Sequence, residues 1–225
     1  MKKNKNFITI LFFLTNILTY SQSSFFIVQS NPDTEFIRTS SGLYKMANPE
    51  NETKRLYYFE SFKNKAVIKD SKKEFKINNL NIDLVDNSFV SKINKDSIFV
   101  FTNLKKAFIN NKEFIKKDNS IYEILVSGKK IELKVKYFSE KRDEIIDNLT
   151  GKTLKPKHYI QKKEYVLLDK LSLETSTFKK IKKKNIINLV DKEFKDDLIR
   201  FSKKEKLSFK NEKELKKILN YYNSL

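Results

Sequence analysis

The 225-residue chain has no cysteine and no tryptophan, and it has only one histidine, three glycines and three prolines. The absence of cysteine excludes a disulfide scaffold, a thiolate metal centre and a cysteine nucleophile. A single histidine excludes a site with several His ligands, and it leaves only His158 to serve a serine nucleophile. Three scattered glycines cannot build a phosphate loop or a dinucleotide fingerprint. The sequence therefore predicts no cofactor.

Basic side chains are abundant: 47 Lys and Arg stand against 28 Asp and Glu, and the formal net charge is +19. Only four of the basic residues are Arg. Because bidentate recognition of phosphate and guanine favours the Arg fork, this composition argues against nucleic acid as the main partner. Much of the chain consists of Lys, Asn, Ile, Phe and Tyr, five residue types whose codons are rich in A and T. Genome base composition therefore accounts for part of the Lys excess.

The first twenty-one residues have the pattern of a Sec-type signal peptide. Lys2, Lys3 and Lys5 form a positive start, residues 7–18 are mostly apolar, and small residues precede Gln22. The apolar run is shorter than the roughly 20 residues of a membrane span. We expect cleavage before Gln22 and export to the periplasm or beyond. Without cysteine the mature protein is not a lipoprotein, and no later segment predicts an integral membrane protein.

Residues 22–178 are predicted to form a β-rich domain. Leu80, Ile82 and Leu84 alternate with Asn81 and Asp83, which predicts a strand with the two polar residues facing solvent. Continuous apolar runs predict further strands at residues 25–28, 56–59, 66–68, 75–77, 98–101, 165–168 and 171–173. Tyr57, Tyr58 and Phe59 are interpreted as sheet or core packing, with a stacking platform as the alternative.

The clearest hairpin joins residues 121–126 to residues 131–138 through a turn at residues 127–129. Its second strand has the period-2 pattern of a sheet with one wet face, because Ile131, Leu133, Val135 and Tyr137 alternate with Glu132, Lys134 and Lys136. Residues 139–157 are polar and are predicted to be a loop with one helical turn at residues 143–149. Asn and Asp tolerate left-handed backbone, which predicts turns at Asn64, Asn78, Asn79, Asn110, Asn111, Asp118 and Asn119.

The periodicity becomes helical after Phe178. A short helix is predicted around residues 181–190, and a second follows with Asp191 as its N-cap. The last helix has Asn211 and Glu214 in a capping pattern and one apolar face made by Leu215, Ile218, Leu219 and Tyr222. Strands first and helices last predict an α+β fold: an antiparallel sheet or small barrel-like part in residues 22–178, and two or three helices in residues 179–225 packed on it.

The C-terminal sequence FKDDLIRFSKKEKLSFKNEKELKKILNYYNSL, from Phe194 to Leu225, resembles the ending of an uncharacterised family of exported Bacteroidota proteins. Their pattern is a β-rich N-terminal part and a Lys-rich helical tail that closes in a YYN-like motif. The segment LNIDLVDNSFVSKINKDSIFVF is also similar to their central strands, although the first hairpin lacks their Gly-rich turn. The resemblance implies the fold and export. It implies no activity and no functional residues.

Five lysines lie close together between the sheet and the helices: Lys179, Lys180, Lys182, Lys183 and Lys184, called here the lysine run. They are either a solvated helix start or a contact for a polyanion, such as lipid headgroups or an acidic polysaccharide of the envelope. No catalytic constellation is present, so we predict a non-enzymatic binding or structural protein of the envelope, with an envelope protein as another possible partner. Two alternatives remain open: a hydrolase of a cell-surface polymer that uses acidic residues, and a binder of polyanions including nucleic acid.

Overall fold

A computed structural model describes residues 36–38, 43–46, 55–70, 73–92 and 97–225. Within these ranges the chain forms antiparallel strands followed by three α-helices, which confirms the α+β prediction. The predicted signal peptide at residues 1–21 and the predicted strand at residues 25–28 lie outside the described residues.

Fifteen strands are described, and they are numbered in chain order: β1 Phe36–Arg38, β2 Leu43–Met46, β3 Ala66–Asp70, β4 Lys73–Ile77, β5 Leu80–Asp83, β6 Ser88–Lys92, β7 Ser97–Phe101, β8 Lys106–Ile109, β9 Lys112–Lys117, β10 Ser120–Ser127, β11 Ile131–Arg142, β12 Ile145–Ile146, β13 Thr153–Lys155, β14 His158–Asp169 and β15 Thr175–Phe178. The helices that follow are α1 Lys183–Leu189, α2 Lys195–Lys204 and α3 Glu212–Ser224, and a 3-10 turn at Lys192–Phe194 precedes α2.

The described strands form two large antiparallel sheets and one small ribbon. The first sheet has the order β1-β2-β7-β6-β5, and the second has the order β15-β14-β11-β10-β9-β8-β3-β4. The ribbon is the pair β12-β13. In the described structure β15 and β4 lie at opposite ends of the eight-stranded sheet and do not pair with each other. The sheet is therefore open, and the barrel-like form of the prediction is wrong.

The hairpin of β10 and β11 is where the sequence predicts it. Ile131, Leu133, Val135 and Tyr137 are all buried, and the charged residues between them are half-buried. The Asn and Asp prediction holds at two turns of the sheet, whereas Asn64, Asn78 and Asn79 have no positive φ. Left-handed backbone occurs at Asn110 and Asn111 between β8 and β9, and at Asp118 and Asn119 between β9 and β10. Asn and Asp therefore adopt the positive φ values that glycine residues adopt in the turns of many other proteins.

Helix α3 covers one face of the eight-stranded sheet. Leu215, Ile218, Leu219 and Tyr222 are all at most 1% exposed, and they join one core with the inward side chains of β10 and β11. The Asn211 side chain accepts hydrogen bonds from the backbone N–H groups of Lys213 and Glu214, as the capping pattern predicts. The Glu214 carboxylate reaches the N–H of Ser208 instead of that of Asn211, which ties the preceding loop to the helix.

Several local predictions are wrong. Residues 139–157 are only partly a loop, because β11 continues to Arg142 and the ribbon takes residues 145–146 and 153–155. The predicted helical turn at residues 143–149 is not formed. Residues 56–59 form only an isolated bridge, from Tyr57 to Asp83. Residues 171–173 form a turn, with Leu173 at a φ of 61°. The Asp191 side chain does not cap a helix, because it accepts the hydrogen bond of the Tyr222 hydroxyl.

Candidate binding cleft

An open cleft of about 650 Å³ lies beside the eight-stranded sheet. One wall is the loop that leads from the Tyr57 bridge to β3, and this loop contributes Tyr58, Phe59 and Ser61. The other side is the sheet itself, where Lys112 of β9, Tyr137 of β11, and Gln161 and Lys163 of β14 line the cleft. Glu60 and Asn64 complete its edge.

Beneath the cleft four side chains form a cluster: Tyr58, Lys112, Glu123 and Tyr137, called here the tyrosine–glutamate cluster. Glu123 of β10 is only 3% exposed. Its Oε2 atom accepts hydrogen bonds from the Tyr58 hydroxyl at 3.0 Å, the Tyr137 hydroxyl at 2.9 Å and the Lys112 ammonium at 3.2 Å. Lys112 also donates to the Tyr58 hydroxyl at 2.8 Å. A buried carboxylate with this many partners is a satisfied group that fixes the positions of both rings.

Both phenols of the cluster stay protonated. Burial raises the pKa of Tyr58, and burial together with the neighbouring Tyr58 and Glu123 raises the pKa of Tyr137 well above its ordinary value. The rings also pack edge to face, since the Tyr58 ring centre lies 4.6 Å from that of Tyr137 and 5.2 Å from that of Phe114. This confirms core packing for Tyr58, which at the same time presents part of its ring to the cleft.

Two lysines give the cleft fixed positive charge. Burial lowers the pKa of Lys112, but its hydrogen bond to Tyr58 and the charge of Glu123 outweigh burial and raise that pKa overall. In the same way, the contacts of Lys163 with Tyr165 and Glu212 outweigh burial and raise the pKa of Lys163. The two side chains remain 42% and 45% exposed. Both ammonium groups are therefore charged and accessible to an anion.

Asparagine side chains hold the loop wall in place. Asn81 is fully buried, and its amide accepts from the N–H of Phe59 and donates to the carbonyls of Phe59 and Ser61. Asn64 donates to the carbonyls of Ser61 and Leu80. Asn110 donates to the Asn64 side chain and accepts from the N–H of Lys65. These contacts add to two backbone hydrogen bonds, from the Tyr58 N–H to the Ile82 carbonyl and from the Leu84 N–H to the Leu56 carbonyl, which hold the loop to β5.

The polar residues Asn81 and Asp83 face the interior, although the sequence alternation predicts that they face solvent. Both are fully buried in β5. Asp83 accepts from Arg55 at 3.2 Å and from the backbone N–H groups of Val85 and Asp86. Burial raises the pKa of Asp83, while those hydrogen bonds and Arg55 oppose the rise. The prediction is wrong because the first sheet has protein on both faces of this strand.

The cleft is not predicted from the sequence. Its signal is visible in retrospect, since Glu123 lies between Ile121 and Leu125 on the buried face of β10. A charged residue at an apolar position of a period-2 strand indicates a buried polar network. No sequence pattern names Tyr58 as its partner, because the two residues are 65 positions apart.

The lysine run lies elsewhere, between β15 and the first turn of α1. All five lysines are exposed, and none forms an ion pair with a described residue. Lys182 occupies the N-cap position of α1, and the first turn contains no acidic residue. Cations at a helix N-terminus oppose the helix dipole, so helix stability does not explain them. His158 is exposed and its Nδ1 lies 2.9 Å from the Pro156 carbonyl oxygen, away from the cleft lining.

The described residues contain no group of three His, Asp or Glu side chains able to hold a metal ion. No helix in the described part of the chain is long and apolar enough to cross a membrane. Comparison with protein-family models, with curated proteins and with solved structures found no match for this chain. The resemblance to exported Bacteroidota proteins therefore stays a prediction.

Proposed function

We propose that this chain is an exported envelope protein with a non-enzymatic binding role, and that the cleft is its binding site. The ligand class that fits is a segment of an acidic polysaccharide. Tyr58 and Phe59 offer aromatic surface to a sugar ring, Gln161 offers an amide, and Lys112 and Lys163 offer charge to a carboxylate or sulfate group. The observation that carries the proposal is the placement of Lys112 and Lys163 in the lining of the cleft beside two aromatic rings, where 42% and 45% of their side chains stay exposed although each also pairs with a carboxylate.

The geometry gives less support to the hydrolase alternative. Glycoside hydrolysis uses two carboxyl groups across the scissile bond. Among the described residues that line the cleft, Glu60 is the one carboxylate. Glu123 lies beneath it, and three donors already occupy its Oε2 atom. The arrangement therefore favours binding over general acid and base chemistry.

Binding to the cleft is tested by titrating the purified protein with oligogalacturonate and, in parallel, with an uncharged maltose oligomer. Isothermal titration calorimetry follows the binding, because the fluorescence of ten tyrosines spread over the chain would not report on the cleft alone. We expect saturable binding of the acidic oligomer at low salt. Lys163→Gln should weaken it about fivefold, which is about 1 kcal/mol.

Lys162→Gln is the matched control, because it removes the same charge from the adjacent position of β14, whose side chain points to the opposite face. It should leave the affinity unchanged. Equal weakening by both substitutions would show that only overall charge matters. Absence of binding at low salt would overturn the proposed ligand class.

A second candidate function rests on the lysine run, whose five side chains are exposed and form no ion pair with a described residue, although the Lys183 ammonium lies 5.6 Å from the centre of the Phe209 ring. In this case the protein would contact anionic lipid headgroups. Replacing all five lysines by Gln should reduce the salt dependence of binding to phosphatidylglycerol vesicles. The control replaces five other exposed lysines, at positions 65, 76, 129, 204 and 210. An equal effect of both sets would reject a specific role for the run. Parallel titration with duplex DNA tests the nucleic-acid alternative.

A further inference from the structure

A two-stranded arm extends from the eight-stranded sheet. The pairing of β10 with β11 ends at Lys136, and the pairing of β15 with β14 begins at Tyr165. Beyond these points residues 137–142 of β11 pair only with residues 158–163 of β14, as far as Arg142 and His158. We call these two segments the arm. Six residues per strand give it a length of about 20 Å.

The arm ends in the ribbon of β12 and β13, and residues 143–157 are called here the tip. Four aliphatic side chains of the tip are exposed: Ile145 at 50%, Ile146 at 47%, Leu149 at 97% and Leu154 at 62%. They are half of the large hydrophobic side chains that are exposed in the described part of the chain. A local concentration of this kind is typical of an interaction surface.

Charges at the tip are divided between its two sides. The β12 side carries Asp143, Glu144 and Asp147, and the β13 side carries Lys152, Lys155 and Lys157. The tip is therefore neutral, whereas the whole chain has a net charge of +19. Within the tip the one ion pair, Lys157 to Glu144, is 3.9 Å long and joins two exposed groups. The Asp147 carboxylate accepts hydrogen bonds from the N–H groups of Leu149 and Thr150. Asp143, Lys152 and Lys155 form no ion pair within the tip, so their charge is available to a partner.

We propose that the tip is a self-association surface and that its occupant is a second copy of this chain, related by a two-fold axis. In such a pair the acidic side of each tip lies on the basic side of the other, and the four aliphatic side chains of each copy are covered. If β12 of one copy paired edge to edge with β12 of the other, the acidic residues of the two copies would lie side by side, and the lysines would do the same in a pair of β13 strands. The tips are therefore expected to meet face to face. The proposal is independent of the ligand of the cleft.

The length of the arm removes the main obstacle to this association. Two strongly basic copies repel each other, but the repulsion is screened over about 8–10 Å at moderate salt. An arm of about 20 Å on each copy keeps the basic bodies further apart than that. An anionic surface would be a poorer occupant, because three carboxylates stand beside the aliphatic side chains.

Charge reversal tests this surface, because mixing two variants can restore a dimer lost by charge repulsion but cannot restore one lost by misfolding. The first variant carries Asp143→Lys with Glu144→Lys, and the second carries Lys152→Glu with Lys155→Glu. We expect sedimentation velocity to show a concentration-dependent dimer for the wild type and monomers for each variant alone. An equimolar mixture of the two variants should form the dimer again, because each side then meets its opposite charge.

A matched pair of apolar substitutions tests the same surface. Leu149→Ser with Leu154→Ser should weaken the dimer about tenfold or more. Leu171→Ser with Leu173→Ser removes two exposed leucines from the turn before β15, and it should leave the dimer unchanged. A monomeric wild type at about 100 µM and about 0.15 M salt would overturn the proposal, as would a mixture of the charge variants that stays monomeric.

Discussion

The two ends of strand β11 have opposite surroundings. At its start, Ile131 is fully buried, and the side chain of Asn223 from α3 accepts from the N–H groups of Lys130 and Ile131 and donates to the Ile131 carbonyl. At its end, Arg142 pairs only with His158 in the arm, and both side chains are exposed. A single strand thus passes from a fully packed sheet to a free ribbon within twelve residues.

The difference comes from what covers the strand rather than from the strand itself. Near Ile131, helix α3 buries the apolar face and satisfies the backbone of the hairpin turn. Beyond Tyr137 no described helix lies on either face. Substitutions at the two ends should therefore have very different effects on the free energy of unfolding.

The largest effect is expected at the start of the strand, for Asn223→Ala. This substitution removes three hydrogen bonds to a part-buried hairpin turn, and it should reduce the free energy of unfolding by about 2–3 kcal/mol. Urea denaturation measures the change. A loss below about 0.5 kcal/mol would contradict the role of Asn223 as the clamp of the turn.

A substitution at Gly128 gives a second test of the role of Asn223. A Cβ atom added there would lie 1.9 Å from Cγ of Asn223, so Gly128→Ala must displace the Asn223 side chain and cost a similar amount. In an Asn223→Ala background the same substitution should cost little, which a double-mutant cycle measures. Gly151→Ala is the control: nothing lies within 4 Å of the new atom and the φ is +67°, so only a strain of about 1 kcal/mol is expected.

A smaller effect is expected from Tyr222, which anchors α3 at the buried end. Its hydroxyl donates to Asp191 at 2.9 Å, and burial together with Asp191 raises the pKa of Tyr222 to about 12. An unfolded tyrosine titrates near pH 10, so between pH 10 and 12 only the unfolded chain releases this proton, and stability falls as pH rises.

Tyr222→Phe should cost about 1 kcal/mol at neutral pH and should make the alkaline decline shallower. The measurement is urea denaturation of both proteins at pH 9 and pH 11. The lysines titrate in both, so the difference between the two slopes reports Tyr222. Identical slopes would contradict the raised pKa.

The smallest effect is expected at the tip of the arm. Leu149 is 97% exposed, so Leu149→Ala should change the free energy of unfolding of the monomer by no more than about 0.5 kcal/mol. Urea denaturation at low protein concentration measures it. A larger loss would mean that Leu149 packs within its own chain, and the contrast between the two ends of β11 would disappear.

The sequence predicts well those elements that pack one face against the core, because this packing imposes a regular spacing of apolar residues. The β10–β11 hairpin and the apolar stripe of α3 are both of this kind, and Asn211 caps its helix through local contacts. The outer part of the arm, at residues 138–142, is half-buried to exposed and shows no period-2 alternation, so its polar composition imitates a loop. Asn81 could not be recognised as an interior residue, because its partner Phe59 lies 22 positions away. The apolar alternation around Glu123 indicates burial, but it does not identify the partner Tyr58, which lies 65 positions away.

The contact of Asn223 in α3 with the β10–β11 hairpin also affects the order in which the chain can assemble during synthesis. Asn223 follows Ile131 by 92 residues. At a synthesis rate of about 5–20 residues per second, the turn of the hairpin waits roughly 5–20 s for the side chain that secures it. Through that interval β10 and β11 lack their helical cover. The chain therefore locks its central strands only after α3 has been made.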